Sequence, residues 1–113
     1  MNTFMTLTEY QRKAAKTAIY KEEHRMVYPA LGLTGEAGEI ANKVKKILRD
    51  DYDSVELMAK KLELSKEIGD VLWYCAALAD DLGFDLCEIA QKNLDKLQSR
   101  AERGTIQGSG DNR

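Results

Sequence analysis

Residues that commonly build redox and transition-metal sites are scarce in this sequence. It has one histidine, His24, and two cysteines, Cys75 and Cys87, without a Cys-x-x-Cys spacing. Di-iron carboxylate bundles take a Glu-x-x-His motif from each of two helices, so a single histidine argues against that class of site. Two cysteines without a metal-binding or redox spacing are more typical of reduced thiols. We therefore expect both cysteines to be buried and reduced.

Long apolar runs and an excess of one charge are also absent. No stretch approaches the roughly 20 apolar residues of a membrane-spanning helix, and the opening MNTFMTLTEYQRK lacks the hydrophobic segment of a signal peptide. The sequence has 17 basic and 19 acidic residues and a net charge of −2, without the basic surface that bulk nucleic-acid binding needs. We expect a cytoplasmic protein that binds neither membranes nor bulk nucleic acid.

The 113 residues, 43% of them hydrophobic, suit one small domain. Apolar residues recur at helical spacing, with no strand pattern and no internal repeat. The predicted fold is all-α, a helical hairpin or bundle of about four helices, over about 8–22, 29–49, 55–82 and 86–103. Residues 1–103 form the domain in this interpretation, and the Gly-rich residues 104–113 form a tail of linker-like, flexible composition.

Local signals set the ends of these helices. Thr8 and Asp85 each begin a capping-box pattern, Gly83 is a C-terminal stop, and an irregularity is expected near Glu63. Each glycine inside a helix weakens it, so glycines in the second helix predict the close approach of another helix or a ligand: Gly32, Gly35 and Gly38. Because helix faces are thin and Ala-rich, we expect a dimer or tetramer to cover the remaining apolar stripes.

Two acidic pairs organise the chain: Glu36 with Glu39, and Glu67 with Asp70. Each pair is spaced i,i+3, which places two carboxylates on one face of a helix. The turn-prone run 50–54 separates the two helices, and the arms from this run to the pairs measure about 15 and about 20 Å. An antiparallel hairpin therefore brings all four carboxylates to nearly the same level.

Four carboxylates at one place repel one another and raise one another's pKa unless a cation neutralises them. Oxygen ligands without histidine or cysteine suit Mg²⁺, or else Mn²⁺, and these ions share their coordination with substrate phosphates. The alternative interpretation is that the acids form ordinary i,i+4 ion pairs, for which Glu39 and Lys43 are well placed.

The strings LTGEAGEIANKVKK and LSKEIGDVLWYCAAL carry these pairs, and over about 28–100 the sequence resembles the MazG-like, all-α nucleoside triphosphate pyrophosphohydrolases. The tail RGTIQGSGDNR is also similar to that of small single-domain members. The resemblance implies Mg²⁺-dependent hydrolysis of a (deoxy)nucleoside triphosphate between the α- and β-phosphates, and assembly as dimers or tetramers. It also implies that an asparagine and basic residues of the last helix complete the site; Asn93 and Lys96 occupy matching positions.

Basic side chains supply further candidates for substrate binding. Lys43 and Lys46 lie one and two turns beyond the first acidic pair, within reach of polyphosphate oxygens, although charges on a solvated face explain them equally well. Lys96 and Arg100 lie i,i+4 beside Asn93 on the last helix. Given the resemblance, we expect these residues to contact a phosphate or a base.

Aromatic residues flank the acidic pairs. Trp73 and Tyr74 follow the second pair, where a ring can stack on a nucleobase or pack in the core. Tyr28 and His24 precede the second helix and are candidates for lining an entrance. The end of the tail, 111–113, is a candidate to fold over phosphates.

The sequence therefore predicts a hydrolase with Glu36, Glu39, Glu67 and Asp70 as metal-binding and catalytic residues. In this hypothesis the metal orients the phosphates and activates a water, and Glu39 is the preferred acceptor of the water's proton. The expected role is the clearing of noncanonical or surplus deoxynucleotides. Two alternatives stay open: an enzyme restricted to dUTP or dCTP, and a non-catalytic helical interaction module whose acids keep it soluble.

Overall fold

The computed structural model describes residues 4–113, and these residues form four α-helices. The helices are α1 Leu7–Ala15, α2 Val27–Arg49, α3 Ser54–Leu82 and α4 Leu86–Glu102, with a 3₁₀ turn at Glu22–His24. α2 packs along α3, while α1 and α4 pack against the last part of α3. No strand occurs within this described range, and none of its helices is long and apolar enough to cross a membrane. The predicted all-α class is confirmed.

Local signals at its turn build the α2–α3 hairpin. α2 ends where Asp50 becomes extended, and Asp53 begins α3 with a capping box. The Asp53 carboxylate accepts from the Glu56 amide at 2.8 Å, and the Glu56 carboxylate accepts from the Asp53 amide at 3.3 Å, which satisfies donors that a first helical turn leaves free. α3 then runs for 29 residues without a break. The irregularity predicted near Glu63 is wrong, because most of the residues around it are strong helix formers.

α1 is shorter than predicted and begins at a different cap. Thr6, rather than Thr8, is the N-cap, and its hydroxyl accepts from the Glu9 amide at 3.0 Å. Thr8 instead donates to the Asp85 carboxylate at 2.9 Å. The helix ends at Ala15 and not near position 22, because the segment that follows makes tertiary hydrogen bonds that a longer helix would prevent.

Asp81 of α3 holds the loop at 16–26 in place. Its carboxylate accepts from the Tyr20 hydroxyl at 2.7 Å and from the Met26 amide at 2.8 Å, and Arg25 approaches it at 3.6 Å. Burial, and then the hydrogen bond to Asp81, raise the pKa of the Tyr20 hydroxyl far above its usual range. One acidic side chain thus fixes both the middle and the end of the loop.

The start of α2 lies close to its predicted position. Val27 is the first helical residue, and Pro29 is buried in the first turn, where a missing amide donor leaves no helical hydrogen bond unmade. Met26, immediately before the helix, has φ of +65°. This left-handed conformation is uncommon for a residue other than glycine, and the bond from its amide to Asp81 helps to hold it.

The buried core lies where α1, α3 and α4 meet. Gln11 of α1 is buried there; it donates to the Phe84 carbonyl at 3.0 Å and accepts from the Leu86 amide at 2.9 Å. Its side chain therefore joins α1 to the turn between α3 and α4. Gly83 ends α3 with φ of +82°, as predicted, and Asp85 caps α4. The apolar core is small: Ala14, Ala76, Ala79 and Leu86, with Leu7, Tyr10 and Trp73 packed against it.

The two cysteines differ in exposure, although both are free thiols. Cys75 is half-buried, and burial raises the pKa of its thiol. Cys87 is exposed, so the expectation of two buried cysteines is wrong for this residue. It lies in the first turn of α4, on the side away from the core.

The tail at 104–113 makes more contacts than its composition predicts. It has no regular secondary structure, yet its last residue, Arg113, donates to the carbonyl oxygens of Thr105, Ile106 and Gly110 at 3.1, 2.9 and 2.6 Å. These bonds close the tail into a loop. Arg103 is the C-cap residue of α4. Its guanidinium donates to the Arg113 carbonyl at 2.8 Å, which holds the loop against α4.

Candidate metal and nucleotide site

Three carboxylates from the two hairpin helices converge at one point. Glu36 of α2 and Glu67 and Asp70 of α3 each offer an oxygen, and these oxygens lie within 4.8 Å of one another. We call these residues the acidic triad. The hairpin produces this convergence because the arms from the turn at 50–54 place the two acidic pairs at matching levels. Glu36 and Glu67 are half-buried and Asp70 is exposed, so the triad is open to a solvent ion.

The triad fits a hard divalent cation. Within residues 4–113, no basic side chain lies within ion-pair distance of the three carboxylates. A hydrogen bond with Glu67, then burial and the charge of Asp70, raise the pKa of Glu36. A cation removes this repulsion, and carboxylate oxygens without nitrogen or sulfur ligands suit Mg²⁺ or Mn²⁺.

Glu39 lies beside the triad but is not one of its members. It is exposed on α2, one turn after Glu36, and its charge contributes to the raised pKa of Glu36. The four-carboxylate cluster expected from the sequence is thus found for three residues. The alternative ion pair between Glu39 and Lys43 is absent from the contacts of the described residues, because the Lys43 ammonium approaches Glu63 at 3.8 Å instead.

A cavity of about 370 Å³ opens directly beside the triad. Glu36 and Asp70 form its acidic wall, and Trp73, Tyr74 and Thr17 form the rest. The Trp73 indole donates to the Thr17 hydroxyl at 2.8 Å, which fixes the orientation of the ring. The two aromatic residues expected near the acids therefore do line the same space as the acids.

A second cavity, of about 300 Å³, shares Thr17 and Trp73 with the first. We call it the aromatic pocket. Tyr20 and Tyr28 stack in its wall with ring centroids 4.8 Å apart, and Tyr28 also lies near Tyr74 at 6.4 Å. The pocket also includes residues from the loop at 16–26, and the predicted entrance residues His24 and Tyr28 belong to this lining: Ile19, Tyr20, Lys21, His24 and Tyr28.

Only one of the three α2 glycines marks a close approach. A Cβ atom added at Gly32 would overlap the ring of Tyr74, whereas at Gly35 and Gly38 it would meet no atom of residues 4–113 within 4 Å. The prediction is confirmed for Gly32; at Gly35 and Gly38 no other helix of the described residues approaches, and the approach of a ligand there stays a prediction. Tyr74 therefore lies directly on the α2 backbone, one turn before Glu36.

Comparison with known proteins identifies the family of this chain. Residues 28–105 match the model of the MazG nucleotide pyrophosphohydrolase domain, which covers α2, α3 and α4. The chain belongs to the MazG family. It is 53% identical over 110 residues to the Gene 37 protein of Mycobacterium phage L5, covering 92% of this chain and 96% of that protein. It is 39% identical over 74 residues to the uncharacterized protein YvdC of Bacillus subtilis (strain 168), covering 62% and 70%. No solved structure gives a significant match.

The MazG match leaves out residues that sequence reasoning also missed. Thr17, Ile19 and Tyr20 line the aromatic pocket but precede the matched segment. Helical periodicity predicted that the first helix extends to about position 22, whereas in the structure it ends at Ala15 and a loop follows. Their placement depends on Asp81, which lies about sixty positions later in the sequence, so no local signal could have found them.

The candidate lysines of α2 do not line the cavity beside the acidic triad. Lys43 and Lys46 line a small space of about 80 Å³ with Lys60 and Glu63 of α3. Lys43 is half-buried and Lys46 is exposed. A single chain brings neither amine into the cavity beside Glu36, and the Lys43 ammonium lies 3.8 Å from Glu63.

The candidates of α4 also line a space of their own. Asn93 and Lys96 border a cavity of about 310 Å³ together with Lys92 and Ile89. Asn93 is exposed. Arg100 is only 4% exposed, and its guanidinium donates to tail atoms. In this MazG chain the acidic and basic candidates thus face separate cavities.

Proposed function

We propose that this chain is a Mg²⁺-dependent nucleotide pyrophosphohydrolase that cleaves a (deoxy)nucleoside triphosphate between the α- and β-phosphates. The products are the monophosphate and pyrophosphate. The observation that carries the proposal is the convergence of Glu36, Glu67 and Asp70 without a basic partner among the described residues. Membership of the MazG family supports the same reaction class.

The carboxylates divide the work in this proposal. The acidic triad holds Mg²⁺, or Mn²⁺ in its place. When bound, the ion would neutralise phosphate charge and lower the pKa of a nearby water. Glu39 accepts the proton of the attacking water, because it is a carboxylate beside the triad that is not committed to it.

The aromatic pocket supplies the place for the nucleobase. Trp73 and Tyr74 face the triad, and Tyr28 continues the aromatic wall into the neighbouring cavity. Stacking of a base on an aromatic ring contributes about 1–3 kcal/mol and accepts any base. A substrate with its phosphates at the triad and its base at Trp73 therefore suits the two cavities, which share Thr17 and Trp73. Clearance of unwanted deoxynucleotides is the corresponding role.

A second copy of the chain completes the assembly in this proposal, as a dimer or tetramer. The radius of gyration is 17.3 Å, against about 13 Å for a compact domain of about 100 residues. Large apolar side chains along the hairpin are exposed in the single chain, and burial of each is worth about 1.5–3 kcal/mol. The occupant is another hairpin of the same kind, which can also bring Lys43, Lys46, Asn93 and Lys96 of one copy nearer to the triad of another.

A panel of canonical and modified triphosphates with Mg²⁺ tests the proposed reaction. We expect stoichiometric release of pyrophosphate, with no orthophosphate, and loss of that release in Asp70→Asn. Glu88→Gln is the matched control, since Glu88 is an exposed acid in the first turn of α4. Release of orthophosphate, or activity retained by Asp70→Asn, would contradict the proposal. Absence of both activity and a Mg²⁺-dependent thermal shift would favour the non-catalytic interaction module.

A further inference from the structure

The tail at 104–113 folds so that one carboxylate bridges two cations of α4. The Asp111 Oδ1 atom lies 3.1 Å from the Lys96 Nζ atom and 3.3 Å from the Arg100 Nη2 atom. The same Arg100 nitrogen also donates to the Asp111 carbonyl at 2.9 Å and to the Gly110 carbonyl at 3.4 Å. Arg100 therefore recognises both the side chain and the backbone of this short segment.

The three charged groups differ sharply in exposure. The Arg100 side chain is 5% exposed, whereas Lys96 is 38% and Asp111 is 82% exposed. Arg100 cannot reach a ligand in solvent, and its Nε atom is buried without a partner in the described range. A buried guanidinium needs an anionic partner, and Asp111 provides it. The two cations outnumber the single carboxylate, so the cluster of Lys96, Arg100 and Asp111 has a net positive charge.

The backbone of the tail is shaped for this contact. Gly108 and Gly110 have φ of +128° and +85°, conformations that residues with a side chain rarely adopt. A Cβ atom at Gly108 would lie 3.2 Å from the Arg113 Cδ atom. Because Arg113 closes the tail on itself through backbone carbonyls, Asp111 projects from a preformed loop and not from a free end.

We propose that Asp111 is a positioning residue that holds the Lys96 ammonium at the edge of the α4 cavity, with Arg100 as the buried anchor of Asp111. This inference rests on the proposed function, in which assembly brings Lys96 of one copy nearer to the triad of another, where the substrate phosphates bind. An ammonium held by one carboxylate oxygen keeps two donors for phosphate oxygens. Fixing the side chain in advance lowers the entropy that binding would otherwise cost. Arg100, expected from the sequence to touch the substrate, acts through Asp111 instead.

Binding of inorganic tripolyphosphate with Mg²⁺, measured by calorimetry, tests the inference without requiring catalysis. We expect Asp111→Asn to weaken binding about three- to tenfold, the effect of uncoupling two contacting charges, and Asp111→Glu to restore part of it. In a Lys96→Met background, Asp111→Asn should cause no further loss. Asp95→Asn is the matched control, because Asp95 adjoins Lys96 in sequence but bonds to Gln91; it should bind like the parent chain.

Several outcomes would overturn the inference. One is that Asp111→Asn weakens tripolyphosphate binding equally in the parent chain and in the Lys96→Met background. Another is that Asp95→Asn weakens binding as much as Asp111→Asn does. The third is that the parent chain does not bind tripolyphosphate. Hydrogen exchange of the tail amides should be unchanged in Asp111→Asn, because Arg113 still closes the loop; faster exchange would mean that the loss of binding follows from an opened loop, and it also counts against the inference. If triphosphates release no pyrophosphate but the coupling is present, the proposed function fails and the positioning role stands. If pyrophosphate is released normally but Asp111 and Lys96 show no coupling, the proposed function stands and the positioning role fails.

Discussion

The two ends of α3 are packed in opposite ways. Near its C-terminus, Ala76 and Ala79 are 1% and 3% exposed against α1 and α4, whereas near its N-terminus Met58 and Leu62 are 67% and 60% exposed. The first end has a closed core of small side chains held by Gln11. The second end, which we call the far arm, has large apolar side chains that are left mostly exposed by the rest of residues 4–113.

The acidic triad lies at the border between these two regions. Glu67 and Asp70 come after the far arm and before the buried alanines of α3. A metal site needs ligands fixed in position, and the closed core supplies that rigidity on one side. The far arm offers apolar surface for another copy on the other side. The closed core thus holds the site in position, and the far arm is the part that we propose packs against another copy.

The largest expected effect comes from carboxylates at this border. Glu67→Gln should lower kcat for pyrophosphate release by about a hundredfold or more, because even the outer partners of metal ligands are worth about 10- to 100-fold. It should also abolish Mn²⁺ binding measured by electron paramagnetic resonance. Glu39→Gln should lower kcat as well but keep Mn²⁺ binding, since Glu39 lies outside the triad.

These two variants distinguish a metal ligand, Glu67, from the proposed proton acceptor, Glu39. If Glu39→Gln also loses the metal, Glu39 is a fourth ligand and the proton acceptor is another group. If Glu67→Gln retains both metal and activity, the triad is not the centre of the reaction. Glu88→Gln, on exposed α4 surface, should change neither quantity.

The far arm is tested by charging its surface. Met58→Glu together with Leu62→Glu should reduce the mass in solution from an oligomer to a single chain of 12.7 kDa, as read by light scattering. Each buried apolar side chain contributes about 1.5–3 kcal/mol, so two charges there prevent association. Ile19→Glu is the control, since Ile19 is 90% exposed but lies on the loop at 16–26. A parent chain that is already a monomer would refute this interpretation of the far arm.

What the sequence predicted is what local chemistry controls. The hairpin follows from the turn at 50–54 and the cap at Asp53, and the convergence of Glu36, Glu67 and Asp70 follows from helical spacing on its two arms. Gly83 as a helix end depends on its own backbone. None of these features requires knowledge of residues far away in the chain.

What the sequence did not predict depends on distant partners. The end of α1 and the loop after it are set by hydrogen bonds to Asp81, and the burial of Arg100 is set by the folded tail. The spacing that places Arg100 beside Asn93 gives no sign that the guanidinium faces the protein. Uncovered apolar stripes in a single chain were expected, but helical periodicity does not indicate which residues stay exposed, and Met58 is one of them.

A smaller effect distinguishes the two kinds of glycine on α2. Gly32→Ala should lower the free energy of unfolding by about 1–3 kcal/mol, the usual cost of overpacking, because its Cβ would overlap the Tyr74 ring. Gly35→Ala should raise it by up to about 1 kcal/mol through helix propensity, since its Cβ would meet no described residue within 4 Å. Urea denaturation measures both. Destabilisation by Gly35→Ala would show that a second copy packs at that point.

The smallest expected effect is the pH dependence of stabilisation by metal at the triad. The pKa of Glu36 is raised above its ordinary value of 4.5, first by the hydrogen bond with Glu67. A carboxyl group with a raised folded-state pKa favours the fold below its unfolded pKa and loses that contribution as pH rises through the folded value. Without metal, this contribution should therefore fall as pH rises above about 4.5.

Metal binding reverses the sign of this trend, because an ion binds the ionised carboxylates and competes with their protons. The increase in Tm caused by Mg²⁺ should be near zero at a pH below 4.5, grow as Glu36 ionises, and then level off. Differential scanning fluorimetry across this range measures it. Glu36→Gln should flatten the profile, and Glu88→Gln should leave it unchanged. A Mg²⁺-induced rise that is equally large at every pH would place the ion somewhere other than between the carboxylates of α2 and α3.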